Sequence, residues 1–324
     1  MFMNSSNQIE FISVEQLVPQ EHNYRVYLNI LDFETLIKPM SKLEYRLGAK
    51  GYGILCLFKC LLLQFLEDVS DRELQKLIAE NIAAKYFCGF SLTDKTPDFT
   101  LFTKVRKRIG TTLLSEVFAL VRNSLKEKGY MSEVFSFVDA SHLITKNSLW
   151  EERDKAIEAK YEKLNNETLG KVAVDKEAKI GCKGRQKYWY GYKKNVCVDM
   201  QSGLINKVAI TAANVADAKA LKHICPSGGV VFGDKGYCTV DAQRELKRKG
   251  CSDATIKRNN MRNKDYGRDS WRSKMRFPHE RVFSKSNHMV RYKGLVKNQF
   301  ALFMESLAYN MKRLSNMGVR CRVV

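Results

Sequence analysis

Residues 230–237 read Val-Val-Phe-Gly-Asp-Lys-Gly-Tyr. The apolar run that ends at Phe232 is typical of a short buried strand, and the Asp-Lys-Gly that follows is typical of a turn. Asp234 is therefore predicted at the end of a strand. In such a turn an aspartate often bonds only its own backbone, so a structural role stays open beside a functional one.

Two further acidic residues stand in comparable positions. Asp139 ends the apolar run in Phe-Ser-Phe-Val-Asp-Ala-Ser, and Glu280 lies within Arg-Phe-Pro-His-Glu-Arg-Val-Phe. If the strands that lead to Asp139 and Asp234 lie side by side and parallel, their carboxylates meet at neighbouring strand ends. Glu280, on a later helix, would complete the group. Taken singly, Asp139 is also typical of a strand-end turn, and Glu280 is more typical of an exposed helix residue.

Three carboxylates gathered at one place indicate a metal site. Oxygen-only ligands favour Mg²⁺ or Mn²⁺ over zinc, and two adjacent carboxylates repel each other strongly unless cations neutralise them. Two ions about 4 Å apart can activate an attacking hydroxyl and stabilise the leaving oxygen at phosphorus. The three acids therefore predict phosphodiester chemistry, with two ions expected.

The pattern around these acids predicts a mixed sheet flanked by helices. The predicted strands are Val134–Val138, Tyr188–Asp199, Leu204–Thr211, Gly229–Phe232 and Ala254–Lys257, and the predicted helices are Val215–His223 and Asp241–Lys249. The charged segment Ser148–Lys187 is predicted to be an insertion with a helix at Leu149–Leu164. For this insertion a solvated excursion is favoured over a contact with DNA.

Residues 1–130 have a different pattern, which predicts a compact all-helical domain. Leucines recur at helical spacing in its centre, and Ser70 is typical of the residue that caps a helix. The Thr-Pro-Asp-Phe-Thr of residues 96–100 predicts a break before further helices. Residues 131–324 are then predicted to form a second, catalytic domain, so that the fold class is α+β.

The charge of the 324-residue chain, formally +20, is unevenly distributed. Residues 1–130 hold 17 Lys and Arg against 15 Asp and Glu, whereas residues 251–324 hold 17 against 5. Such a basic surface attracts nucleic acid or an anionic membrane. The longest apolar stretch, Gly53–Leu66, is too short to span a bilayer, so nucleic acid is the expected partner.

The N-terminal sequence and the cysteines indicate a compartment. The first residues lack the basic start and apolar run of a secretory signal. The nine cysteines are odd in number and form no Cys-x-x-Cys pair, so reduced thiols are favoured over a zinc site. We therefore expect a cytoplasmic protein associated with the nucleoid, and no membrane partner.

Several short motifs carry a resemblance to one family. They are Leu61-Leu62-Leu63-Gln64-Phe65-Leu66, Ser70-Asp71-Arg72-Glu73-Leu74, Phe87-Cys88-Gly89-Phe90 and Pro97-Asp98-Phe99-Thr100 in the first part, then Phe137-Val138-Asp139, Tyr190-Gly191-Tyr192-Lys193, Asn214-Val215-Ala216-Asp217 and Gly233-Asp234-Lys235-Gly236-Tyr237. Through these motifs the chain resembles the DDE transposases of bacterial insertion sequences, specifically the insertion-sequence-five family. The resemblance covers nearly the whole chain, and the last motif is its strongest part.

The resemblance implies a ribonuclease-H-like catalytic domain and DNA transposition. A transposase of this kind cleaves at terminal inverted repeats to free 3′ hydroxyls, which then attack target DNA. Asp139, Asp234 and Glu280 would be the metal ligands and catalytic acids, with Mg²⁺ or Mn²⁺ as cofactor, and Arg276 would anchor a phosphate. A homo-oligomer on double-stranded DNA is expected, because two ends must be held together.

The region of the third acid departs from the family pattern. The family has a Tyr, an Arg, the Glu and a Lys at set spacing. Arg276 and Glu280 fit, but Ser273 stands in place of the Tyr and Asn287 in place of the Lys. Lys285 and His288 are the candidates for the missing phosphate contact.

Basic residues in two regions are predicted to contact DNA. Those near the C-terminus are interleaved with Tyr266, Trp271 and Tyr292, as on a surface that follows a phosphate backbone, although a solvated basic face stays open. Those near residue 106 lie on a predicted helix that, by analogy, would recognise the terminal repeats. The predicted DNA contacts are Arg262, Lys264, Arg268, Arg272, Lys285, Arg291, Lys293 and Lys297, together with Lys104, Arg106, Lys107 and Arg108.

Two other functions stay open at this point. A transposase descendant that binds DNA without cutting it would also carry this sequence, and the substitutions at Ser273 and Asn287 favour it. A ribonuclease-H-like nuclease that cuts without joining is the other alternative. Terminal inverted repeats on both sides of the gene would favour the transposase over either one.

Overall fold

The structure is a computed structural model, and it describes residues 12–43, 51–145, 165–183, 187–262, 264–284 and 288–319. The described residues form two compact units. One runs up to Val117 and includes the residues from Leu314 onward, and the other is Phe118–Arg313. None of the described helices is both long and apolar enough to cross a membrane.

The first unit is built from helices, as its leucine spacing predicts. They are α1 (Val14–Leu17), α2 (Asn23–Ile30), α3 (Phe33–Leu36), the 3₁₀ helix Lys38–Leu43, α4 (Ile54–Leu66), α5 (Asp71–Glu80), α6 (Ile82–Cys88) and α7 (Phe99–Glu127). Ser70 caps α5 through a reciprocal capping box with Glu73. The helices predicted after the break at residues 96–100 are joined as α7, which kinks where Gly110 adopts φ 65°.

A charged cluster links three helices of this unit. The guanidinium of Arg106, on α7, donates to both carboxylate oxygens of Asp71, on α5. Gln64, on α4, donates to Asp71 Oδ1 at 2.6 Å. Burial alone would raise the pKa of Asp71, but the hydrogen bonds from Arg106 and Gln64 outweigh it and lower that pKa.

The second unit contains the predicted mixed sheet. Its strands are β1 (Phe135–Ile144), β2 (Lys179–Lys183), β3 (Lys187–Asp199), β4 (Ile205–Ala212), β5 (Val230–Gly233) and β6 (Ser252–Asp253). Strands β1, β3 and β4 are antiparallel neighbours, and β5 and β6 lie parallel on the other side of β1. This arrangement confirms the ribonuclease-H-like α+β fold. The position predicted for the last strand, Ala254–Lys257, is wrong, because β6 consists of Ser252 and Asp253 only.

Helices complete this unit. They are α8 (Asn166–Val172), α9 (Asp217–Ile224), α10 (Val240–Arg248), α11 (Tyr266–Arg276), the 3₁₀ helix Phe277–Glu280, α12 (Arg281–Ser284) and α13 (Leu295–Asn316). Leu221 of α9 and Leu246 of α10 pack with Val138 and Cys197 of the sheet in one buried core. This packing fixes β1 and β3 beneath the helices, and both strands carry residues of the site.

The insertion between β1 and β3 contributes more than a helical excursion. Its described part, residues 165–183, contains α8 and then β2, which pairs antiparallel with β3 from Lys187 to Gly191. The charge density of this segment gave no sign of a strand. The predicted helix Leu149–Leu164 lies outside the described residues.

All eight cysteines that the structure describes are free.

Candidate active site

The backbone brings Asp139 and Asp234 together. Strands β1 and β5 are parallel, and their last paired residues are Val138 and Gly233. Asp139 and Asp234 each follow directly, so the predicted parallel neighbours are confirmed. Asp139 does not end its strand, however, because β1 continues to Ile144 in antiparallel pairing with β3. Its backbone is therefore held more firmly than a strand-end turn would allow.

One cavity of about 420 Å³ receives all three predicted acids. Its described lining residues are Asp139, Ala140, Ser141, His142, Cys182, Trp189, Lys193, Asp217, Asp234, Glu280 and Phe283. Four of them are carboxylates and only one is a lysine. The site therefore concentrates negative charge within a chain whose overall charge is strongly positive.

The surroundings of Asp139 perturb its carboxyl group strongly. The pKa of Asp139 is raised to about 7, chiefly by burial and in part by the charges of Asp234 and Glu280. The N–H of Ala140, which donates to Asp139 Oδ1 at 2.8 Å, and the charge of Arg276 both act in the opposite direction. These groups do not compensate fully, so the ionised carboxylate would be stabilised by a cation.

Asp234 both forms its turn and faces the cavity. The N–H of Gly236 donates to Asp234 Oδ1 at 2.7 Å, as in the structural role left open for this residue. A Cβ on residue 236 would lie 2.9 Å from that oxygen and 3.5 Å from Asp217 Oδ2. A side chain at residue 236 would therefore displace the Asp234 carboxylate from its present position.

Glu280 is held by the arginine four residues before it. Arg276 Nη2 lies 3.3 Å from Glu280 Oε1, with 9% of the arginine side chain exposed and 47% of the glutamate. The guanidinium also lies over the ring of Phe137, 5.4 Å from its centroid. Nε of Arg276 is buried without a hydrogen-bond partner among the described groups. The predicted phosphate anchor is thus paired with the predicted third acid.

The acids share a cavity but do not form a preassembled metal cage. Within the described ranges, no group of three or more His, Cys, Asp or Glu side chains is arranged to hold a metal ion. The chemistry of the donors still fits Mg²⁺ or Mn²⁺, because the acids offer oxygen ligands only and Asp139 is incompletely compensated.

Some residues predicted to contact DNA are bound to other groups of the protein, and others are exposed. Arg272 donates to the carbonyl of Thr255 at 2.9 Å, and Arg106 is bound to Asp71, so the structure gives both guanidinium groups protein partners. Helix position alone could not reveal the partner of Arg106. The exposed members of the predicted set are Arg262, Arg268, Lys293, Lys297, Lys104, Lys107 and Arg108. Lys285 lies outside the described residues, as does Asn287.

Two cavity residues were not singled out from the sequence. Lys193, on β3, lies with its ammonium 2.8 Å from Asp217 Oδ1 at the start of α9. The signal was present, since Lys193 closes the Tyr-Gly-Tyr-Lys motif and Asp217 follows the hairpin in another quoted motif. Nothing in the spacing showed that these motifs meet.

His288, a candidate for the missing phosphate contact, stacks on His142 with ring centroids 4.9 Å apart.

Comparisons with known proteins identify the family of the chain. The family described as a transposase domain (DUF772) matches residues 12–108, and the family described as a transposase DDE domain matches residues 133–311. The transposase for insertion sequence element IS1106 of Neisseria meningitidis serogroup B is 29% identical over 219 residues, which are 63% of this chain and 73% of that protein.

Two solved structures of transposases with DNA are also similar. A synaptic complex of piggyBac transposase with hairpin DNA has a TM-score of 0.42 and 9% identity, covering 91% of this chain and 76% of the other. The Mos1 transposase paired-end complex has a TM-score of 0.19 and 7% identity, covering 85% and 82%. The match to the transposase DDE domain extends over more than half of the chain, and this protein therefore belongs to the DDE transposase family.

Proposed function

We propose that this transposase cleaves DNA at the terminal inverted repeats of its insertion sequence and joins the freed 3′ hydroxyls to target DNA. The observation that carries the proposal is the convergence of Asp139, Asp234 and Glu280 on one cavity. A chain of charge +20 that keeps four carboxylates in one cavity is suited to a polyanionic substrate and divalent cations.

The roles of the acids follow from their supports. Asp139 and Asp234 extend from adjacent, hydrogen-bonded parallel strands, so they are the pair best placed to share cations. Glu280 comes from a separate helical segment and would hold the ion nearest the leaving group or the attacking water. The two bound ions would activate the attacking hydroxyl and stabilise the leaving oxygen.

Arg276 is proposed to exchange partners when DNA binds. Its guanidinium is mostly buried and is kept beside the acids by Glu280 and Phe137. If Glu280 turns toward a cation, the arginine is left with a charge that a substrate phosphate can satisfy. The ion pair then serves as the resting state of both residues.

The exposed basic residues are proposed to bind the phosphate backbone. In the second unit, Arg262 and Arg268 lie before and after the exposed Tyr266 in the sequence, Lys293 precedes α13, and Lys297 lies in its first turn. In the first unit, Lys104, Lys107 and Arg108 are proposed to contact the terminal repeats, and Arg106 is left out because it is bound to Asp71. A homo-oligomer that holds two ends and membership of the insertion-sequence-five family are part of the same proposal.

Removal of divalent metal is expected to abolish cleavage without abolishing DNA binding. The substrate is a duplex made from the DNA that flanks the gene, and products are resolved on a denaturing gel. Cleavage and joining should require Mg²⁺ or Mn²⁺ and should stop with a chelator, because the acids alone cannot neutralise a phosphorane-like charge. Binding without any cleavage in Mg²⁺ would indicate a silent DNA-binding descendant, and cleavage without joining would indicate a nuclease.

A further inference from the structure

We propose that Lys193 contacts a phosphate of the bound DNA strand next to the phosphate that is cleaved, and that Asp217 positions it. This inference rests on the proposed function and adds to it a substrate contact. Lys193 lies on β3, and none of the three acids lies on that strand.

The charges that line the cavity favour a role for Lys193 in binding phosphate. Asp139, Asp217, Asp234 and Glu280 line it, and Lys193 is the only lysine or arginine among its described lining residues. Cations bound at the acids would neutralise the cleaved phosphate, but a DNA strand also brings the neighbouring phosphates into reach. A phosphate beside four carboxylates is repelled unless a cation meets it, and Lys193 is placed to do so.

Two hydrogen-bond acceptors hold the ammonium group of Lys193 in place. Nζ of Lys193 donates to Asp217 Oδ1 at 2.8 Å and to the carbonyl of Val215 at 2.9 Å. An ammonium has three hydrogens, so these two acceptors leave one donor for a ligand. The two acceptors also fix the direction of the long side chain. Lys193 therefore loses less rotamer entropy on binding a ligand than a mobile lysine would.

The ring of Trp189, packed against Gly181, forms a rigid wall beside Lys193. Trp189 donates from its ring nitrogen to the carbonyl of Tyr192 at 3.2 Å, and Lys193 Nζ lies 6.0 Å from the centre of the Trp189 ring. The ring packs against Gly181 of β2, where a Cβ would lie 2.5 Å from a ring atom. Lys193 is thus positioned by strand pairing, an aspartate and a fixed aromatic ring, as a preorganised contact should be.

Lys193→Gln tests this contact, with Lys219→Gln as the matched control. Both variants lose one positive charge, but Lys219 is exposed on α9 and does not line the cavity. We expect Lys193→Gln to weaken binding of an end duplex in chelator, and to slow its cleavage in Mg²⁺, by roughly 10- to 100-fold. Lys219→Gln should stay within about threefold of wild type, and Lys193→Arg should recover most of the activity. Equal melting temperatures would show that the variants are folded.

A phosphate scan identifies the contact itself. Neutral methylphosphonates are placed one at a time around the cleavage site, and each duplex is tested with wild type and with Lys193→Gln. At one neighbouring phosphate, neutralisation should impair the wild type but impair Lys193→Gln little further, because the contact is already lost. If wild type cleaves but the two changes multiply at every position, the inference fails and the proposed function stands. If wild type does not cleave any duplex, the proposed function fails and the inference fails with it.

Discussion

Asp234→Asn should abolish strand cleavage by this transposase, by about 10³-fold or more, while binding of terminal DNA stays close to that of wild type. The amide cannot supply the negative charge that the proposed cations need, and Asp234 is one of the two acids on adjacent strands. The fold should persist, since the Gly236 N–H can still donate to the amide oxygen in place of the carboxylate. Cleavage is measured on an end-labelled duplex in Mg²⁺, and binding by mobility shift in chelator.

A second aspartate of the same unit provides the control for that experiment. Asp241 lies on α10 with 69% of its side chain exposed, and it is outside the cavity. Asp241→Asn changes the net charge equally and should cleave at the wild-type rate. If Asp234→Asn cleaved as fast as Asp241→Asn, the assignment of Asp234 to the active site would be wrong.

Arg106→Ala should lower the free energy of unfolding by about 2–4 kcal/mol. Arg106 and Asp71 have only 11% and 22% of their side chains exposed, so the substitution leaves the carboxylate partly buried with Gln64 as its main remaining donor. The cluster also ties α7 to α5. Urea unfolding followed by circular dichroism measures the loss. Lys107→Ala, exposed on the same helix, should change stability by less than about 0.5 kcal/mol.

The same cluster should make stability depend on pH. The pKa of Asp71 is lower in the folded protein than its ordinary value, so the ionised carboxylate favours folding. This contribution is fully present above the unfolded-state pKa, about 3.9, and is lost as the pH falls through the lowered folded-state value. The stability difference between wild type and Arg106→Ala should therefore shrink below pH 4. A difference that stayed constant down to pH 2.5 would contradict this account of Asp71.

The sequence was most informative where a residue's role depends on local pattern. Asp139 and Asp234 could be placed together because each follows an apolar run typical of a strand, and neighbouring parallel strands align such positions. Ser70 could be recognised as a cap because the capping box is local, with Glu73 three residues on. The mixed sheet followed from the order of such segments, whereas its ribonuclease-H-like type was implied by the family resemblance.

Tertiary partners could not be predicted in the same way. Arg106 was assigned to DNA because three other basic residues lie near it in sequence, yet its partner is Asp71, 35 residues away. Lys193 and Asp217 meet only because β3 and α9 pack together, which no spacing reveals. Strand β2 lies in a segment whose charge is typical of solvated structure, and it exists because β3 offers a free edge there.

The most direct test of the central claim is joining of a mini-element by wild type and by Glu280→Gln. The mini-element carries the DNA from either side of this gene around a marker, and it is supplied in Mg²⁺ with an intact target plasmid. Glu280 is the decisive residue, because it comes from a separate segment and is paired with Arg276 in the resting structure. The account predicts joined products with wild type and none above background with Glu280→Gln. Equal joining by both proteins would contradict a three-carboxylate active site.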